Sequence, residues 1–142
     1  MTSPRFLMSV AFLVALFATL APMATQAEEN PMATGAAQTW LQLVDSGDYG
    51  TSWDQAASYF RNGITKAEWE KNMNAFRTPL GSVISRQMLI AREVTKLPGA
   101  PDGVYLVVEF ESAFVNKAKA LETVTVLLEA TGAWRVAGYY FR

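Results

Sequence analysis

Two charges stand where strand alternation asks for apolar residues. Arg86 shares a strand face with Ile84, Met88 and Ile90, and Glu122 shares one with Val124, Val126 and Leu128. A lone charge inside a core is costly, so two of opposite sign in core-like sets point to an ion pair reaching across an intervening strand. Lys117 and Tyr140 could line the same rim. Together the four would make a pocket in which a carboxylate serves as base and a phenol as hydrogen-bond donor, the equipment of a cofactor-free isomerase or hydratase. The other reading is hydration: Glu122 and Lys117 lie in or beside a hairpin loop, and Arg86 snorkels at a sheet edge. A one-residue change of register decides between the two.

A second set lies in W-R-V-A-G-Y-Y-F-R, residues 134–142. Regular alternation turns Trp134, Val136, Gly138 and Tyr140 one way and Arg135, Ala137, Tyr139 and Phe141 the other. Gly138 has no side chain to pack and suggests a bend or bulge. One face is then core. The other, with Arg135, Tyr139 and Phe141, is a candidate interface, because arginine and aromatic residues are enriched in interface cores. The last strand of a meander also leaves one edge unpaired, which is compatible with a homodimer.

Much chemistry is excluded outright. The chain has no histidine and no cysteine, so a Ser-His-Asp triad, a thiol nucleophile, a disulfide and imidazole or thiolate metal ligation are all ruled out. No catalytic residue, metal site or cofactor is assigned from the sequence. The 12 Lys and Arg against 13 Asp and Glu form no basic block, so the electrostatic footprint of a nucleic-acid binder is missing.

The elements that must position these residues follow an N-terminal leader. Arg5, the apolar run 6–21 and the small-residue segment P-M-A-T-Q-A read as a signal peptide over residues 1–27, cleaved after Ala27. The alternative is an uncleaved anchor, but the run is shorter than the ~20 residues of a spanning helix. Cleavage implies export to the periplasm or the extracellular space, with no stable membrane insertion afterwards. Residues 28–35 are expected to be flexible, and residues 36–142 to form a single α+β domain.

Ala37, Trp40, Leu41 and Val44 recur at helical spacing and stop at Ser46-Gly47. A second helix is expected from Thr51, with Trp53, Ala56, Ala57 and Phe60 on one face, to Asn62-Gly63. Thr65 and Glu68 form a capping box that opens a third, with Trp69, Met73 and Phe76 on its stripe and Pro79 beyond its end. The Trp and Phe anchors of these helices read as core. Beta-rich runs follow at 82–97, 103–115, 120–130 and 133–142. Their linkers are too short for crossover helices, so the strands should form an antiparallel meander with the three helices on one face.

The segments W-L-Q-L-V-D-S-G-D-Y-G-T-S-W, R-T-P-L-G-S-V-I-S-R, L-P-G-A-P-D-G-V-Y, N-K-A-K-A-L-E-T-V and W-R-V-A-G-Y-Y-F-R occur in that order. As a set they resemble the secreted bacterial family catalogued only as domain of unknown function 4019. The order of helices before a curved four-stranded sheet also resembles the nuclear transport factor 2-like, or cystatin-like, cone. That fold serves enzymes and non-catalytic binding domains alike, so the resemblance carries no activity with it. Taken together, the residues favour an exported, non-catalytic module that binds a small ligand or a protein partner. The pocket-carboxylate enzyme and an envelope assembly or chaperone-like factor are the alternatives.

Overall fold

The computed structural model describes residues 30–142. The signal-peptide reading of residues 1–27 lies outside them. Helix α1 runs Pro31–Asp45, opened by the Asn30 side chain, which accepts from the Ala33 amide. Proline in its first turn removes a donor that has no partner there in any case. Of the stretch 28–35 expected to be flexible, residues 31–35 are helical, and residues 28 and 29 lie outside the described residues. Ala33 and Ala37 are fully buried, which gives the first turn a packed face.

The expected second helix is two: α2, Tyr49–Asp54, and α3, Ser58–Gly63. Asp48, not Thr51, caps α2. The break falls at Ala56 and Ala57, both fully buried, where the Ala57 amide leaves the helical ladder and donates to the Val136 carbonyl at 2.8 Å. A tertiary hydrogen bond to the sheet has replaced a local one. The Glu129 carboxylate accepts from the Ser58 amide and so serves the start of α3 from across the fold. Helix α4, Lys66–Phe76, carries the Thr65/Glu68 capping box in both directions, and a 3-10 turn follows at Thr78–Leu80.

The sheet is open, antiparallel and in the order β1-β2-β3-β4, with β1 Val83–Val94, β2 Tyr105–Phe114, β3 Lys117–Leu128 and β4 Trp134–Phe141. The N-K-A-K connection is shorter than expected, since β3 starts at Lys117 opposite Phe114. This hairpin is tied to the chain before β1 by the Val115 amide on the Ser82 carbonyl and the Asn116 amide on the Leu80 carbonyl. Gly81 allows the approach: its φ is +76°, and a Cβ there would sit 3.2 Å from the Val115 Cβ and the Asn116 Nδ2.

The helices cover one face of the sheet, and α1 lies across β2, β3 and β4. The core between them holds Trp40, Leu41, Val44, Trp69 and Met73 against Leu106, Val108, Phe110, Val124, Val126 and Val136. Buried Ser52 organises the tryptophans: its carbonyl accepts the Trp40 indole N–H, and its hydroxyl accepts that of Trp69. Trp53 and Phe60 are only partly buried against this core, and Phe76 is 67% exposed. Phe76 therefore departs from the reading of all the helical aromatics as core. Among the described residues no helix is long and apolar enough to cross a membrane.

Among the register shifts of the sheet, two beside the buried charges reset the faces. In β4, Gly138 pairs with Thr125 but Val136 pairs with Val126, so Ala137 is the extra residue. The helix-facing set is consequently Trp134, Val136, Tyr139 and Phe141, opposite Leu128, Val126, Val124 and Glu122. In β1, Leu89 is extra, and Ile90 moves to the outer face opposite Glu109. Of the apolar residues expected beside Arg86, only Met88, opposite buried Phe110, shares its face toward the core. Ile84 and Ile90 are exposed.

Candidate functional site

Every layer of the fold sends a polar side chain to one buried point. Asp45 comes from the last turn of α1, Arg77 from the end of α4, Arg86 from β1, Ser112 from β2, Glu122 from β3 and Tyr139 from β4. The Arg86 guanidinium forks onto Asp45, Nη1 to Oδ2 at 2.7 Å and Nη2 to Oδ1 at 2.9 Å. Its Nε donates to Glu122 Oε1 at 2.8 Å. Arg77 donates to Asp45 Oδ1 at 3.0 Å and to the Gly81 carbonyl at 2.9 Å, with its guanidinium carbon 4.3 Å from the centre of the Phe114 ring. Among the described residues, Arg77 Nε finds no hydrogen-bond partner.

Glu122 is fully buried, at 0% exposure. Its Oε1 also accepts from the Ser112 hydroxyl, and its Oε2 accepts from the Tyr139 hydroxyl. Two carboxylates thus meet two guanidiniums, and charge balances within the cluster. Burial works against the Arg86 charge, but the hydrogen bonds to Asp45 and Glu122 outweigh it and hold its pKa above the ordinary arginine value. For Tyr139, burial and then the Glu122 charge push the hydroxyl well above the ordinary phenol range.

The structure brings Arg86 and Glu122 together and leaves Lys117 and Tyr140 outside. Lys117 stands at the β2–β3 hairpin. Tyr140 is opposite Thr123 on the uncovered face and is 52% exposed. The residue that reaches Glu122 is Tyr139, because the Ala137 bulge exchanges the two faces. The same bulge separates the candidate interface set. Arg135 is opposite Leu127 on the outer face, where it donates to the Gln55 carbonyl at 3.2 Å. Tyr139 and Phe141 look toward the helices. The β4 edge is also partly covered, through the Ala57 amide.

Asp45, Arg77 and Ser112 escaped the sequence reading, yet each carried a signal. Asp45 follows Leu41 by four residues and Arg77 follows Met73 by four, so both extend apolar helical stripes. Ser112 sits between Phe110 and Phe114 on the buried face of β2.

Beside this cluster lies an open cleft of about 300 Å³ between α4 and the end of β4. Its lining is Trp69, Met73, Phe76, Tyr139, Tyr140 and Phe141, with Asn72 on the rim. Tyr139 belongs to both places, its ring in the cleft wall and its hydroxyl on Glu122. No group of three or more Asp or Glu that could hold a metal occurs among the described residues.

The profile of the family described as "Protein of unknown function (DUF4019)" matches residues 36–139. None of the curated proteins compared with the chain matches it.

Proposed function

We propose that this chain, which belongs to the DUF4019 family, is an exported, non-catalytic module that binds an apolar group in the cleft between α4 and β4. The observation that carries this reading is the cleft itself. Its lining is aromatic and thioether, and Phe76 and Tyr140 stand exposed at its mouth with no packing role that needs them there. The pocket-carboxylate alternative is weaker, because Glu122 already takes three donors and has no exposed atom to offer a substrate proton. On this reading the fold is a nuclear transport factor 2-like cone whose interior is filled by the charged cluster, leaving binding to its flank.

Titration of the purified mature protein with the neutral apolar probe N-phenyl-1-naphthylamine tests the cleft. Phe76→Asp is expected to weaken probe binding at least about tenfold, roughly 1.4 kcal/mol, while its thermal melt stays that of wild type because Phe76 contributes little to the core. Equal probe affinity in the two proteins would overturn the reading. Native mass spectrometry of protein from its own envelope then separates a retained small ligand from a co-purified protein. For export, N-terminal sequencing of the secreted chain is expected to begin at Glu28, and an intact Met1 chain in the membrane fraction would reject it.

A further inference from the structure

We infer that the outer edge of β1 is a self-pairing surface, joining two copies of this chain by antiparallel β1–β1 addition. Strand β1 ends the sheet, and among the described residues no backbone group outside β2 bonds to Val83–Val94. A long edge with free amides and carbonyls is a template for a further strand. Three of the exposed large apolar residues, Ile84, Leu89 and Ile90, lie on it.

The Leu89 bulge selects a second copy as the occupant. Leu89 and Ile90 stand together opposite Glu109, at 50% and 48% exposure. Outward from their junction, the strand presents the same order of faces in both directions. Gln87 and Arg92 lie on the outer face, opposite Glu111 and Val107. Met88 and Ala91 lie on the helix side, opposite Phe110 and Val108. Arg86 and Glu93 follow on the helix side, opposite Ser112 and Leu106, and Ser85 and Val94 on the outer face, opposite Ala113 and Tyr105.

A regular strand cannot pair with itself about a point between two residues without mixing faces, because side chains alternate with period two. The extra residue removes that conflict. About a two-fold axis at the Leu89–Ile90 junction, Leu89 meets Ile90 of the second copy, and Met88 meets its Ala91. Gln87 lies beside its Arg92, and Arg86 beside its Glu93. Like charges never face each other, because the Arg86 guanidinium is turned inward onto Asp45 and Glu122, and the exposed apolar pair is buried at the axis. Such an isologous contact closes on itself, so it stops at a dimer. It would join two four-stranded sheets into one.

The test uses the full exported chain at tens of micromolar in sedimentation equilibrium. Wild type is expected at twice the monomer mass, and Leu89→Lys with Ile90→Lys at the monomer mass with an unchanged melt. Because the chain has no cysteine, register is read separately by adding diamide to Gln87→Cys and Arg92→Cys proteins. The two mixed should cross-link, and neither alone should. A monomeric wild type, a dimer that survives the double lysine variant, or cross-linking of Gln87→Cys with itself would each overturn the proposal.

Discussion

Tyr139→Ala is expected to lower the unfolding free energy by on the order of 3 to 5 kcal/mol. Two losses combine. The ring packs edge-on against Trp40 at 5.4 Å and lies 5.8 Å from Phe141, so its removal opens a hole beneath the cleft. The hydroxyl is one of three donors on a carboxylate that water does not reach, and a buried acceptor deprived of a donor is penalised by about 1 to 3 kcal/mol. Tyr139→Phe keeps the ring and isolates that second part.

The hydroxyl also predicts a pH dependence. Its folded pKa is raised above the unfolded value of 10.0, so the folded chain holds this proton more tightly. The contribution is fully present below about pH 10 and is lost as pH rises from there toward the folded pKa. Urea melts between pH 8 and 11 are expected to show a decline in wild type that is smaller in Tyr139→Phe. Equal slopes in the two proteins, or a loss under about 1 kcal/mol for Tyr139→Ala, would contradict the packing of Tyr139 against the core and its hydrogen bond to Glu122.

Arg86→Met is expected to be comparably severe, on the order of 3 to 5 kcal/mol, because removing one partner of a buried ion pair leaves the other uncompensated. Among the described residues, Arg86 alone touches both carboxylates of the cluster. Without it, Asp45 keeps Arg77, but Glu122 keeps only two hydroxyls. Glu122→Gln should cost less, since Arg86 retains its fork on Asp45. The double variant should depart from additivity by more than about 1 kcal/mol, as contacting residues do. Additive losses below about 1 kcal/mol each would mean that water reaches and screens the pair.

The helices and the meander could be read because their causes are local. The Thr65/Glu68 box acts within one turn, and the stripes Ala37-Trp40-Leu41-Val44 and Trp69-Met73 repeat at helical spacing whatever lies opposite. Short linkers leave antiparallel pairing as the only option for the four strands. Where a local cause met a stronger distant one, the expectation failed. The single helix expected from Thr51 breaks at Ala57, because its amide finds the Val136 carbonyl in a strand far along the chain. Residues 31–35 are ordered because Ala33 and Ala37 have a sheet to pack on.

By itself, then, the sequence determined the class of the fold and showed charges on apolar patterns: Arg86 and Glu122 stand among apolar residues at strand spacing, and Asp45 and Arg77 continue apolar helical stripes, a signal that needs no partner to be seen. Which charges meet was decided only by the tertiary structure. A bulge adds one residue to one strand, and with side chains alternating at period two, one residue exchanges every face beyond it. The extra residue at Ala137 gave Glu122 to Tyr139 instead of Tyr140 and set Arg135 apart from Phe141; the one at Leu89 turned Ile90 outward. Gly138 marked the neighbourhood of the β4 bulge and nothing local marked the one at Leu89, but in both the residue left over depends on which neighbouring strand the chain must pair with.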